Sequence, residues 1–411
     1  MAWEPQQQEL QGPRLTLRVA LVYAHFNFTG SLPRQQVQLA RYLVGAGHEV
    51  HAYSFAATRE PELAPGVHYH DVPASRASSS RLGYALHAAT FARNATRMIS
   101  DNRAAYDVVH GRGMSTWDQD ILHLTGVVSG ELRRDWSSRD SGGLVRRLKE
   151  ALLPVATPIV SVRRFIERRI LEDHVPLEIH TSSRLIRDDL LAAYDVDPAR
   201  IRVVPPGVDL EEFHPPTDRL AARREVGLTE PETVILFCGH SFKLKGLDRA
   251  VLALGKMREP ARLVVVGGDD PQPYLRLAMQ LGVEDRVNVI GPRTDTWRFF
   301  QAADIFILPT RVDMWGMTVA EAMATGVPPI TTTSAGAARL ISNGENGFVL
   351  PEPFEVDLLA GILDRLAADP ELRHRIGRAA QKRACTLTWE QHGHEVEAAM
   401  RQIAESRPRH A

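Results

Sequence analysis

Short runs of apolar and β-branched residues alternate with stretches of helical apolar spacing, and the alternation falls into two sets separated by Pro205-Pro206-Gly207. This pattern constrains the fold more than any other feature. Strands this short and this apolar are buried on both faces, and a helix after each one places them in a parallel sheet covered on both sides. In the first set Arg18–Tyr23, Val50–Tyr53, Val67–Val72, Tyr106–His110, Glu178–His180 and Arg202–Val204 read as strands. Pro33–Gly47 reads as a helix with Val37, Ala40, Leu43 and Val44 on one face. The second set has strands at Thr233–Cys238, Arg262–Val266, Val287–Ile290, Ile305–Leu308 and Pro329–Thr332, with a helix at Tyr274–Leu281. Two consecutive doubly wound α/β domains of similar build follow. The ligand cleft is expected between them, beyond the carboxyl ends of the strands.

A chain of 411 residues is long enough to close two such cores. We place an extension at 1–16, a first domain at 17–205, a second at 206–385 and a closing helical segment at 386–411. Hydrophobic residues make up 44% and charged residues 24%, which excludes a disordered or fibrous chain. Lys plus Arg number 49 against 50 Asp plus Glu, so no global field draws the molecule to nucleic acid, and no such partner is expected. Cys238 and Cys385 are too few for a disulfide framework and point to a reducing, cytoplasmic compartment. Met1–Leu15 has no charged head followed by an apolar stretch, and no run of eighteen apolar residues occurs, so neither an export signal nor a spanning helix is expected.

The sharpest motif follows Ile305–Leu308. The strand runs through Pro309-Thr310-Arg311-Val312-Asp313-Met314-Trp315-Gly316 into a helix that Gly326 ends. Backbone amides at Gly316, Met317 and Thr318 can bind a phosphate at such a helix start. Asp313 precedes the helix and can reach hydroxyls outside it. Glu321, one turn in, can accept from a ribose diol. On spacing alone, Asp313 as a cap and Glu321 as a solvated acid fit equally well.

With these residues in view, the chain resembles glycosyltransferase family 4, retaining enzymes of the GT-B fold, and more narrowly the lipopolysaccharide core glucosyltransferases. Asp313 stands where that family usually has Glu, seven residues before a second Glu matched by Glu321. Val203-Val204-Pro205-Pro206-Gly207-Val208-Asp209 is similar to the family's interdomain segment. Phe237-Cys238-Gly239-His240 through Lys245-Gly246 resembles its first donor-domain loop. There an Arg and a Lys clamp the diphosphate, whose charge grows as the sugar bond breaks. Lys245 matches the Lys; Leu244 takes the place of the Arg, leaving Lys243 or His240 as substitutes. Gly267-Gly268 and Gly291-Pro292-Arg293 resemble loops beside the nucleobase, where Arg293 contacts base or phosphate or caps the loop. Gly30 matches one glycine of the phosphate-approaching loop in the first domain.

The resemblance also implies acceptor or sugar contacts from Asp118 and from His110 or Arg112, although a lone His110 on a strand is more often a core histidine. Asp118-Gln119-Asp120 spells a metal-binding pattern of another transferase fold, which the GT-B resemblance discounts. No metal and no bound cofactor are expected; the nucleotide-diphosphate sugar is a co-substrate. Asp118, Lys245 and Asp313 are the catalytic candidates, and Gly30, His110, His240, Lys243, Arg293, Gly316, Met317, Thr318 and Glu321 the substrate-binding ones.

Residues 131–173 stand apart. Between Arg133 and Asp173 ten basic residues face six acidic ones, an excess of +4, around Leu144, Leu148, Leu152 and Leu153. Such a piece can lie on an anionic membrane or form a solvated helix over the first domain. The resemblance implies transfer of a hexose from a nucleotide-diphosphate sugar to a hydroxyl of a glycan, a lipid-linked acceptor or another molecule, with the enzyme cytoplasmic or peripheral on the membrane's inner face. Alternatives are a sugar-nucleotide epimerase and a degenerate nucleotide- or glycan-binding partner.

Overall fold

A computed structural model of the chain describes residues 15–28, 30–73, 81–128, 130, 158–228, 232–352 and 354–407. The first sheet has seven parallel strands: β1 (Arg18–Val22), β2 (Glu49–Ser54), β3 (His68–Asp71), β4 (Val108–Arg112), β5 (Ile121–Leu124), β6 (Glu178–Thr181) and β7 (Ile201–Val203). Their order is β3-β2-β1-β4-β5-β6-β7. The second sheet has β8 (Thr233–Cys238), β9 (Ala261–Val266), β10 (Val287–Gly291), β11 (Ile305–Leu308), β12 (Pro329–Thr332) and β13 (Phe348–Leu350), all parallel. They run β10-β9-β8-β11-β12-β13. Both sheets reverse direction of winding beside their first strand, between β1 and β4 and between β8 and β11. The carboxyl ends of these strand pairs open the crevices where doubly wound folds bind ligands.

Alternation along β1 shows why the sequence demands helices on both faces. Val19 and Leu21 pack with Val37, Leu43, Val396 and Met400, while Ala20 and Val22 pack with Phe91, Ala95 and Ile99. The helix Ser31–Gly45 covers one face and Arg81–Asp101 the other. Two strands go unread in the sequence. β5 is four residues long with His123 breaking its apolar run, and β13 has three residues.

The last helix, Trp389–Ser406, returns from the second domain to the first sheet. Its Glu397 accepts a hydrogen bond from Tyr42 Oη at 2.7 Å and is paired with Arg401 and with buried His48. Gly207 in the linker lets this helix approach: a Cβ there would stand 2.5 Å from the Trp389 amide nitrogen. Among the described residues no helix is long and apolar enough to cross a membrane. Most of the basic stretch, 131–157, lies outside the described residues. Its remainder is the helix Pro158–Arg168, which buries Ile166, exposes Phe165 and pairs Arg168 with Glu172.

Two glycines predict opposite outcomes. Gly207→Ala forces the linker off the closing helix and lowers stability by about 1–3 kcal/mol. Gly361→Ala, in the helix Val356–Ala368 with nothing within 4 Å of the added methyl, stabilises by up to about 1 kcal/mol. Thermal unfolding of the two variants beside the parent checks both signs.

Candidate active site

The second domain's winding reversal joins two loops. After β8 the chain makes a short turn of helix, Phe242–Lys245, and enters the helix Leu247–Lys256 through Gly246 at φ +82°. A side chain at Gly246 would collide with the Pro309 carbonyl of the neighbouring loop, so close approach and the positive φ both require glycine. After β11, Thr310 Oγ1 donates to the Leu244 carbonyl at 3.0 Å and the Arg311 amide donates to the same carbonyl at 2.8 Å. Arg311 then grips Asp248 with two bonds of 2.8 Å and the Lys243 carbonyl with one of 2.7 Å. Arg311 was not singled out in the sequence. It binds the β8 loop to the β11 loop and so fixes the position of Lys245.

Lys245 Nζ donates to Asp313 Oδ2 at 2.5 Å, and Asp313 Oδ1 accepts from the Trp315 amide at 3.3 Å. The Asp313 backbone is clamped as well, its N–H to the Ser334 carbonyl at 3.0 Å and its carbonyl to the Gly336 amide at 2.9 Å. Gly316, at φ +94°, then starts the helix Met317–Ala324. Its first amides, at Met317 and Thr318, have no acceptor within the helix.

Glu321 lies on that helix. Burial of its carboxyl pushes its pKa up to about 7, opposed by the charge of Arg34 and reinforced by that of Glu212. Arg34 belongs to the first domain's helix after Gly30 and pairs with Glu212 of the interdomain segment at 3.2 Å. Gly30 caps that helix at φ +96°. Arg34 and Glu212 were also not read from the sequence; a basic residue one turn after Gly30 was the available signal. The domains touch nearby, where Ser183 Oγ donates to the Met314 carbonyl at 2.6 Å.

The family described as Glycosyltransferase Family 4 matches residues 34–212, and Glycosyl transferases group 1 matches 218–383. A D-inositol 3-phosphate glycosyltransferase of Kribbella flavida is 31% identical over 397 residues, covering 90% of each chain. The chain belongs to these glycosyltransferases. The solved structure of WaaG, a glycosyltransferase involved in lipopolysaccharide biosynthesis, superposes with a TM-score of 0.75 at 23% identity, covering 93% of this chain and 99% of that one. The Anabaena protein Alr3699/HepE, solved with UDP-glucose, gives 0.68 at 16% identity, covering 94% and 100%. At these identities both likenesses concern the fold, which is GT-B.

The glycosyltransferase does not bring all the expected residues together. Lys243 is largely exposed and pairs with Asp248 at 2.6 Å. His240 is exposed at the end of β8 and packs toward Gly268. Arg293 lies beyond β10, the outermost strand, in a two-bond pair with Asp295 at 2.8 Å, as a loop-capping role requires.

Two expectations are corrected. Asp118 precedes β5 in a parallel sheet, so it lies at the amino edge, opposite the cleft; there it accepts from Ser100 at 2.5 Å and pairs with Arg103 at 3.5 Å. Asp120 likewise takes Arg103 and Arg407 at that edge. His110 is in mid-strand and fully buried, as a core histidine is.

The raised pKa of Glu321 sets a stability test. Below the unfolded value near 4.5 the carboxyl is neutral in both states; as pH rises through about 7 its ionisation increasingly opposes folding. Glu321→Gln is therefore expected to gain on the order of 1–3 kcal/mol relative to the parent at pH 8 and almost nothing at pH 4. Denaturant melts at both values check it.

Proposed function

We propose that the protein is a retaining glycosyltransferase that moves a hexose from a nucleotide-diphosphate sugar to an acceptor hydroxyl, without a metal ion in the transfer step. The observation that carries this reading is the Lys245–Asp313 pair at the winding reversal, beside the amide-rich start of the helix Met317–Ala324. Both side chains are largely buried. An ammonium held there meets a diphosphate, and a carboxylate fixed by Lys245 and the Trp315 amide accepts from sugar hydroxyls.

In the reaction the bond between the anomeric carbon and the diphosphate oxygen breaks, and the acceptor oxygen bonds to the same face. The acceptor proton passes to the departing phosphate oxygen. Charge therefore accumulates on the diphosphate, where Lys245 and the Met317 and Thr318 amides stabilise it. Glu321, ionised, holds the ribose hydroxyls, and Arg34 brings a first-domain charge to the same spot. No protein nucleophile is required.

The acceptor enters from the first domain. The curated relative's name makes an inositol phosphate the first acceptor to test, ahead of glycans and lipid-linked acceptors. The thiols of Cys238 and Cys385, unpaired in the structure, support a cytoplasmic setting. The basic stretch supports a peripheral membrane contact.

Lys245→Ala is expected to lower kcat/KM for transfer by about 10²–10³. Asp313→Asn is expected to lower transfer comparably while leaving nucleoside-diphosphate affinity within a few-fold, because it removes a sugar contact and not the cation. Product NMR should show the donor's anomeric configuration. Unchanged transfer in Lys245→Ala, an inverted product, or donor turnover without acceptor contradicts the reading, the last pointing to an epimerase.

A further inference from the structure

Three adjacent strands of the first sheet direct a histidine to one face. Arg112 of β4 lies opposite His123 of β5, and His123 opposite His180 of β6. The two-residue period of a strand puts His110 on the same face as Arg112. All three histidines are fully buried. Their ring centres are 5.9, 6.0 and 6.2 Å apart, and one ring nitrogen from each lies within 4.8 Å of the others. The closing helix brings a fourth: the ring centre of His392 is 6.0 Å from that of His123.

Hydrogen bonds decide where the lone pairs are. His392 donates from Nδ1 to the Pro205 carbonyl at 2.8 Å, which leaves Nε2 unprotonated and, among the described residues, without a partner. His180 Nε2 bonds Glu178 Oε1 at 3.0 Å and leaves Nδ1 without one. His123 Nε2 bonds Ser182 Oγ at 3.2 Å, and its Nδ1 is likewise free of partners. Neither nitrogen of His110 has a partner among the described residues. A neutral imidazole with a free lone pair on one nitrogen is the form that ligates metals. A carboxylate behind one ligating imidazole and a carbonyl behind another is the arrangement that orients histidines at metal centres.

The guanidinium of Arg112 shares the face and opposes a cation. It is held by Gln35 Oε1 at 2.8 Å, and the Glu178 carboxylate behind His180 is itself paired with Arg202.

We propose that His110, His123 and His180 form a structural site for a divalent transition-metal ion, with His392 closing it from the last helix. Zinc suits an all-imidazole, four-coordinate set best. Metal–nitrogen bonds of about 2.0–2.1 Å need the rings to draw together by roughly an ångström. The ion fastens the returning helix to the first sheet. It lies inside the first domain, apart from Lys245 and Asp313, and takes no part in the transfer.

The test is elemental analysis of the full chain, purified without a histidine tag, combined with refolding in Zn²⁺ or Co²⁺. About one zinc per chain is expected in the parent, falling below about a tenth in His180→Ala and His392→Gln. Co²⁺ refolding should give a tetrahedral ligand-field spectrum that both variants lose. His70→Ala, in the separate His51–His70 contact at the sheet edge, and Cys385→Ser, an exposed thiol, should keep the metal. If His180→Ala does not fold, His392→Gln alone decides. Less than about a tenth of an equivalent in the parent together with no Co²⁺ spectrum overturns the proposal, as does metal that survives His392→Gln or is lost in His70→Ala or Cys385→Ser.

Discussion

The ion pair between Lys245 and Asp313 ties together the two loops on which the rest of the second domain's site depends. An ion pair this far out of water adds little net stability, because desolvation offsets its attraction. Its contribution is positional. It fixes an ammonium and a carboxylate at the winding reversal, on loops that Arg311, Thr310 and Gly246 already hold in contact. On the proposed function, a diphosphate arriving there would compete with Asp313 for the ammonium.

The second dependence is on how the two domains are held. Among the described residues, bridges between them include the Arg34–Glu212 pair, the Ser183–Met314 hydrogen bond, and the last helix, which leaves the second domain and packs on the first. These contacts keep Glu321 and Arg34 close enough to affect one another.

The sequence carried most of the fold. Parallel strands buried on both faces announce themselves as apolar runs, and β1, β8, β9 and β11 were legible on that basis. β5 was not, because His123 interrupts four residues, and β13 was too short. The same histidine that hid β5 belongs to the buried cluster, so the local pattern failed where polar groups are held in the core. Of the candidate site, Asp313, Gly316 and Glu321 come from one motif because a strand, a loop and a helix start are contiguous in the chain. Arg34, Glu212 and Arg311 do not, since their roles come from contacts across the fold. Asp118 was misplaced for a topological reason: with β5 unread, nothing in the sequence said that the segment before it returns to the amino edge of the sheet.

The central claim is that the partly buried Lys245 ammonium recognises a diphosphate. Calorimetric titration of the mono- and diphosphates of each nucleoside, with chelator present, tests it most directly. The account predicts that for one base the diphosphate binds at least about tenfold more tightly than the monophosphate, about 1.4 kcal/mol, and that Lys245→Ala erases the difference. Equal binding of the two, or a preference that survives in Lys245→Ala, would contradict it.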